Sequence, residues 1–79
     1  MKLLVRNLSR TTTEAEIRAL FATHGTVTEC DLVLDQETGK SKGFGFVVMP
    51  DDKQAQTAMA ALHEQRVAKN RIRVKIAKS

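Results

Sequence analysis

The chain has 79 residues, of which 42% are hydrophobic and 28% are charged, a composition typical of a globular protein. This length predicts a single domain over residues 1–79 and leaves little room for a deep internal pocket, so an enzyme is not expected. Thirteen Lys and Arg against nine Asp and Glu give a net charge of +4, which is compatible with a polyanionic partner.

The N-terminal part of the chain predicts a strand followed by a helix. Apolar residues alternate over residues 2–7, which is typical of a half-buried strand. Thr13 and Glu16 have the spacing of a capping box, which predicts that a helix begins there. We expect Gly25 to end that helix. The predicted apolar stripe of the helix comprises Ile17, Leu20, Phe21 and His24.

A second strand is predicted over residues 27–34. Its core-facing side chains are predicted to be Cys30, Leu32 and Leu34. Residues 35–41 are polar and rich in turn-forming types, which indicates a loop. We therefore expect a hairpin that joins this strand to the next one.

The most informative segment is the octamer from Lys42 to Met49, which predicts the third strand. One face of this strand carries Lys42, Phe44, Phe46 and Val48, and the other carries Gly43, Gly45, Val47 and Met49. A cation beside two aromatic rings is a platform on which nucleic-acid bases can stack and phosphate can bind. The alternative is a strand with both rings buried, but the opposite face is already small or apolar.

The C-terminal part predicts a helix and a basic strand. Pro50 ends the octamer, and Asp51 with Gln54 signals the start of the second helix. The apolar stripe of this helix comprises Ala55, Ala58, Met59 and Leu62. Basic and apolar residues then alternate over residues 71–76, with no acidic residue after Glu64. A solvated basic tail is the alternative, but the alternation favours a fourth strand.

The order of these elements predicts an α+β fold of the ferredoxin-like βαββαβ type. Each helix has one apolar stripe, so both helices are expected on the same face of a four-stranded antiparallel sheet. The other face would remain open to solvent. Side-chain alternation assigns ten residues to that open face: Leu4, Arg6, Asp31, Val33, Lys42, Phe44, Phe46, Val48, Arg73 and Lys75.

The remaining sequence features point to a soluble protein without a metal or other cofactor. Cys30 is the single cysteine and cannot form an intramolecular disulfide, which suits a reducing compartment such as the cytoplasm. No apolar run reaches the roughly 20 residues that a membrane span requires, and no signal peptide is evident. The spacing of Cys and His residues matches no common metal motif.

The octamer resembles the longer signature of the RNA-recognition-motif (RRM) family, with Met49 where the last aromatic is usual. Residues 3–8 resemble the shorter signature of the same family on the first strand. The resemblance covers the whole chain, and the chain also resembles stand-alone bacterial RNA-binding proteins with a single RRM. It implies non-catalytic binding of single-stranded RNA by a monomer, with the first and third strands adjacent at the centre of the sheet.

The resemblance also implies a role for particular residues. Phe46 is expected to stack on a base, Phe44 to pack between sugars, and Lys42 to pair with a phosphate. Contacts with RNA are implied for Leu4, Arg6, Lys42, Phe44, Phe46, Arg73, Lys75, Ala77 and Lys78.

Three further positions depart from the family pattern and leave alternatives open. Leu4 replaces an aromatic that usually stacks on a second base, and Arg6 replaces a small residue. Asp31 stands where a basic residue is common, and it would repel phosphate or accept a hydrogen bond from a base. A protein partner on the same face, or single-stranded DNA, therefore remains an alternative to RNA.

Overall fold

The computed structural model describes residues 1–77 and gives an α+β fold. Its elements in chain order are β1 (Lys2–Arg6), α1 (Glu14–Ala22), β2 (Glu29–Leu34), β3 (Ser41–Val48), α2 (Asp52–Leu62), β4 (Arg66–Val67), β5 (Asn70–Arg71) and β6 (Arg73–Ile76). Strands β1, β2, β3 and β6 form one sheet, and β4 and β5 form a separate hairpin. The predicted ferredoxin-like plan is confirmed, with this hairpin added before the last strand.

The sheet is antiparallel throughout and its strand order is β2-β3-β1-β6. The central strands are β3 and β1, the two that carry the family-like signatures. The register of β1 with β3 places Leu4 opposite Phe46, and the register of β1 with β6 places Leu4 opposite Lys75. Side chains from all four strands are thereby brought onto common rows.

Both helices begin where the sequence predicts. The Thr13 Oγ1 atom accepts a hydrogen bond from the Glu16 N–H at 3.2 Å, and the Glu16 carboxylate accepts one from the Thr13 N–H at 3.4 Å. The Asp51 carboxylate accepts a hydrogen bond from the Gln54 N–H at 3.0 Å. Side-chain oxygens therefore satisfy helix N–H groups that have no partner inside the helix.

Helix α1 ends earlier than the sequence predicts. Its last residue is Ala22 and its C-terminal cap is Thr23, whose hydroxyl donates to the Leu20 carbonyl at 2.7 Å. The prediction that Gly25 ends the helix is therefore wrong. Gly25 lies in the following loop with a φ of 155°.

The hydrophobic core lies between the two helices and one face of the sheet. It comprises Leu3, Val5, Leu8, Ile17, Phe21, Cys30, Val47, Met49, Ala55, Ala58, Leu62, Ile72 and Val74. Burial is the main reason that the pKa of the Cys30 thiol is raised, and the negative charge of the Glu14 carboxylate raises it further. Leu34 was predicted to face the core but is 49% exposed, and Ile76 is 51% exposed. The helices therefore do not cover these two positions of the sheet.

The loop between β2 and β3 forms the expected hairpin connection. The Asp35 carboxylate accepts hydrogen bonds from the Glu37 and Thr38 N–H groups at 2.8 and 3.1 Å. Both hydrogen bonds lower the pKa of the Asp35 carboxyl, and the bond from Thr38 has the larger effect. The Asp35 N–H donates to the Lys40 carbonyl at 2.7 Å, which closes the loop.

The β4–β5 hairpin is absent from the sequence prediction, which assigned a continuous strand to residues 71–76. Its turn residues Ala68 and Lys69 have φ values of 50° and 73°. Two successive residues with positive φ are typical of the type I′ turn of tight hairpins. The hairpin precedes β6 in the chain, and a hydrogen bond from the Asn70 side-chain amide to the Asn7 carbonyl joins it to the residue that follows β1.

Candidate functional site

The sheet face opposite the helices is uncovered and carries side chains from four strands. Burial alternates along β3, where Val47 is fully buried and Phe46 is partly exposed. We call this side the open face, and its residues are Lys2, Leu4, Arg6, Glu29, Asp31, Val33, Lys42, Phe44, Phe46, Val48, Arg73 and Lys75. The structure thus brings together the ten predicted residues and adds Lys2 and Glu29.

Phe44 and Phe46 form an aromatic pair on the open face. Their ring centroids lie 6.4 Å apart and the ring planes meet at 85°, an edge-to-face arrangement. Both side chains are partly exposed, so the alternative in which they are buried beneath the helices is excluded. The pair offers apolar ring surface outside the core.

Two glycines of the octamer determine how β3 meets its neighbours. A Cβ atom on Gly45 would lie only 2.5 Å from the Asp31 carbonyl oxygen and 3.2 Å from the Leu32 Cα. Gly43 has a φ of 84°, and its carbonyl accepts a hydrogen bond from the Leu8 N–H at 2.8 Å. Close strand pairing and positive φ both favour glycine at these positions, so the glycines fix the backbone that presents the two rings.

One residue from each strand contributes to a row across the middle of the open face. The row runs Asp31, Phe46, Leu4, Lys75, and each residue lies directly opposite the next. Directly opposed residues have Cβ atoms about 4.5–5.5 Å apart. A planar group on the Phe46 ring would therefore have a carboxylate on one side and an aliphatic side chain on the other.

Basic side chains converge at the end of β1. Arg6 lies directly opposite Arg73, and together with Asn7 they line a cleft of about 380 Å³. The Asn7 side-chain amide donates to the Arg71 carbonyl at 2.7 Å, which fixes the backbone beside the cleft. Two guanidinium groups in one cleft form a site for an anion such as phosphate.

Lys2 is an open-face residue that the sequence analysis did not single out. Its Nζ atom lies 4.6 Å from the centroid of the Phe46 ring, a cation–π contact. An exposed contact of this kind stabilises by about 0.5–1 kcal/mol, whereas a base stack contributes roughly 1–3 kcal/mol. A base can therefore displace the ammonium group. The available signal in the sequence was the shared alternation of Lys2 and Leu4.

Two further predicted site residues, Lys42 and Ala77, lie at the margins of the open face. Lys42 is exposed and belongs to the part of β3 where the pairing with β2 changes register. The Ala77 N–H donates to the Lys2 carbonyl at 2.8 Å, so Ala77 continues the pairing of β6 with β1. Lys78 lies outside the described residues.

Charge is distributed unevenly across the open face. Glu29 and Asp31 lie on β2 at one edge, whereas Arg73 and Lys75 lie on β6 at the other. Within residues 1–77, the Met1 ammonium lies 3.9 Å from the Asp52 carboxylate, and no Lys or Arg side chain of the open face has a carboxylate within 4.0 Å. An anionic ligand is therefore attracted towards the β1–β6 side.

Other features of the described residues offer no competing site on this face. No group of three or more His, Cys, Asp or Glu side chains in residues 1–77 could hold a metal ion. No helix in the same range has the length and hydropathy to cross a membrane. A cavity of about 810 Å³ lies on the helix side of the sheet, where Leu32, Leu34 and Lys40 contribute to its lining.

A family model for the RNA recognition motif matches residues 3–73. The chain belongs to the RNA recognition motif family. The match includes β3 and all of β1 except Lys2, and these strands carry the two partly exposed rings and Leu4.

Relatives of this RNA recognition motif occur in different organisms. Glycine-rich RNA-binding protein 1 of Mycosarcoma maydis is 44% identical over 78 residues, which cover 99% of this chain and 45% of that protein. RbpB of the cyanobacterium Nostoc is 44% identical over 62 residues, which cover 78% of this chain and 60% of that protein. The chain thus spans less than two thirds of either curated relative.

A solved structure supports the same fold. The Sxl-lethal protein in its complex with RNA has a TM-score of 0.93 and 31% sequence identity. The similarity covers 99% of this chain and 47% of that one. In the present RNA recognition motif, Leu4 occupies the centre of the sheet, opposite Phe46, where the family pattern usually supplies a further ring.

Proposed function

We propose that the chain is a single, monomeric RNA-binding domain that binds single-stranded RNA on its open face without catalysis. The observation that carries the proposal is the pair formed by Phe44 and Phe46, partly exposed on a face that the helices leave uncovered. Unstacked bases bind aromatic side chains in this way, and single-stranded RNA offers such bases. The relatives support the proposal, since one is named an RNA-binding protein and another is an RNA complex.

We propose a division of roles among the open-face residues that follows the resemblance to the family. Phe46 stacks on one base, Phe44 packs between sugars, and Leu4 adds apolar contact beside the stacked base. The cations pair with phosphates, and residues at and just after the end of the last strand contribute backbone or side-chain contacts. These further contacts come from Arg6, Lys42, Arg73, Lys75, Ala77 and Lys78.

The charge gradient sets the orientation of the bound strand. Apart from the phosphate that pairs with Lys42, the phosphates lie towards β1 and β6, because the acidic residues of β2 repel them. The base on Phe46 then lies beside Asp31, whose carboxylate accepts a hydrogen bond from a base amino or imino group. If about three phosphates are contacted, log affinity falls with log salt concentration with a slope near −2.

The affinity of such a site is expected to be modest. A base stack is worth roughly 1–3 kcal/mol, and Leu4 supplies no second ring for it. The loss of one stack weakens binding by about tenfold, since roughly 1.4 kcal/mol is a factor of ten. We therefore place the dissociation constant in the micromolar range, on the order of 10⁻⁶ M.

The single buried cysteine suits a reducing compartment, and we place this activity in the cytoplasm.

The test is a titration of short single-stranded RNA into the unchanged protein and a Phe44→Ala, Phe46→Ala variant. We expect the variant to bind at least about tenfold more weakly, because it lacks both rings. Leu34→Ala is the matched control, since Leu34 is also an exposed apolar residue but lies on the other side of the sheet. It should bind as the unchanged protein does.

Equal binding by the double variant and the unchanged protein would remove the proposal. A parallel titration with DNA of the same sequence tests selectivity, since preference for RNA requires contacts to the 2′-hydroxyl. Light scattering after size-exclusion chromatography tests whether the protein is monomeric in solution. A stable dimer that buries Phe46 and does not bind RNA would instead favour a protein-interaction module.

A further inference from the structure

At two places in the structure, an arginine on one strand lies directly opposite an arginine on the neighbouring strand. Arg66 lies directly opposite Arg71 in the β4–β5 hairpin, and Arg6 lies directly opposite Arg73 in the sheet. All four side chains are exposed. We call Arg6, Arg66, Arg71 and Arg73 the arginine track.

Side-chain alternation places the arginine track on one side of the molecule. Ile72 is fully buried in the core, so Arg71 and Arg73, its two neighbours, project away from the core. Arg73 belongs to the open face, and its cross-strand partner Arg6 shares that side. Because directly opposed residues in a pair of strands share a face, Arg66 lies on the same side as Arg71.

Hydrogen bonds hold the hairpin against the end of the sheet. The Asn70 side-chain amide donates to the Asn7 carbonyl at 3.2 Å, and the Asn7 amide donates to the Arg71 carbonyl at 2.7 Å. The Ile72 N–H also donates to the Gln65 carbonyl at 3.0 Å. The arginines of the hairpin therefore have a fixed position relative to the open face, unlike charges on a loose tail.

The charges of the arginine track are not neutralised within the described residues. In residues 1–77 none of the four guanidinium groups has a carboxylate within 4.0 Å. Like charges directly opposite each other in a sheet are destabilising. A polyanion bound along the track would relieve this repulsion at both pairs.

We propose that the arginine track is a phosphate-binding path that extends the RNA site from the open face over the β4–β5 hairpin. This inference rests on the proposed function and adds Arg66 and Arg71 to the binding surface. Arg71 and Arg73 are two residues apart on an extended chain, about 7 Å between Cα atoms. Guanidinium groups at that interval suit successive phosphates of an extended single strand, to which arginine can donate two hydrogen bonds at once.

The experiment measures RNA affinity against salt concentration for an Arg66→Gln, Arg71→Gln variant. Two oligouridylates are used, one of about four nucleotides and one of about ten, since the shorter fills only the open face. For the longer RNA we expect the slope of log affinity against log salt to be about 1.4 less steep in the variant, because each phosphate contact contributes about 0.7. For the shorter RNA the slopes should agree.

The matched control is an Arg18→Gln, Lys53→Gln variant, which removes the same charge from the exposed sides of α1 and α2. It should retain the slope of the unchanged protein with both RNAs. Thermal melts of both variants confirm that each remains folded.

The outcomes separate this inference from the proposed function. Equal slopes for the unchanged protein and the Arg66→Gln, Arg71→Gln variant with the longer RNA would overturn the inference. An equal decrease in the slope for the control variant would overturn the inference as well, since the salt dependence would then reflect net charge and not the position of the arginines. In either case, weak binding by the Phe44→Ala, Phe46→Ala variant would keep the proposed function intact. A complete lack of RNA binding by the unchanged protein would overturn both.

Discussion

Phe46 is the residue on which the proposed RNA site depends most. It lies between Asp31 and Leu4 on neighbouring strands, and the Lys2 ammonium lies over its ring at 4.6 Å. A base that stacks on this ring gains roughly 1–3 kcal/mol and releases an ammonium worth about 0.5–1 kcal/mol. Stacking is therefore favoured, and Lys2 becomes free to pair with a phosphate.

Leu4→Phe tests the contribution of the residue beside Phe46. Leu4 occupies the central row of the open face, so a ring there would supply a second stacking surface. We expect the affinity for short single-stranded RNA to rise by about tenfold, measured by fluorescence anisotropy. Leu4→Ile, which adds no ring, should leave affinity unchanged. A Leu4→Phe variant that folds but binds no more tightly would contradict the proposal that the RNA contacts Leu4 on the open face.

Much of the open face can be predicted at the level of single residues because side chains on a strand alternate. The alternation correctly assigned Phe44, Phe46 and Leu4 to a surface outside the core. It could not reveal the contact of Lys2 with Phe46, since that contact depends on which strands are neighbours and on a side-chain conformation. The exposure of Leu34 likewise depends on how far the helices extend over the sheet.

At the scale of secondary structure, local signals determined where helices begin better than where they end. The caps at Thr13 and Asp51 were evident because each needs a side-chain oxygen that accepts a hydrogen bond from the N–H three residues later. The end of α1 was mispredicted because Thr23 caps the helix before Gly25 is reached. The β4–β5 hairpin gave no signal, since Ala68 and Lys69 are unusual residues for its turn.

The hairpin turn leads to a prediction about stability. Ala68 has a φ of 50°, a region that costs a residue with a Cβ about 1–2 kcal/mol, whereas Asn enters it more readily. Ala68→Asn should therefore stabilise the fold by about 0.5–1 kcal/mol and raise the Tm by roughly 2–8 °C. Ala60→Asn, on the exposed side of α2, is the control and should lower the Tm because Asn disfavours helix. Equal effects of both substitutions would contradict the assigned turn.

At the scale of the whole molecule, the strand order accounts for the site. The order β2-β3-β1-β6 places the strands with acidic residues and with basic residues at opposite edges, and the aromatic strand between them. The sequence predicted four strands and two helices, but the central position of β1 and β3 followed from family resemblance, because strand order is a long-range property. The basic path over the hairpin likewise becomes visible only when Arg66 and Arg71 are seen to pair.

The most direct test of the central claim is amide chemical-shift mapping of the labelled chain with short random-sequence RNAs. We predict shifts on β1, β3 and β6 and at Asp31 of β2, largest near Phe44 and Phe46, with little change on the outward sides of α1 and α2. Shifts concentrated on the helices, with the central strands unaffected, would contradict the claim that the open face binds RNA.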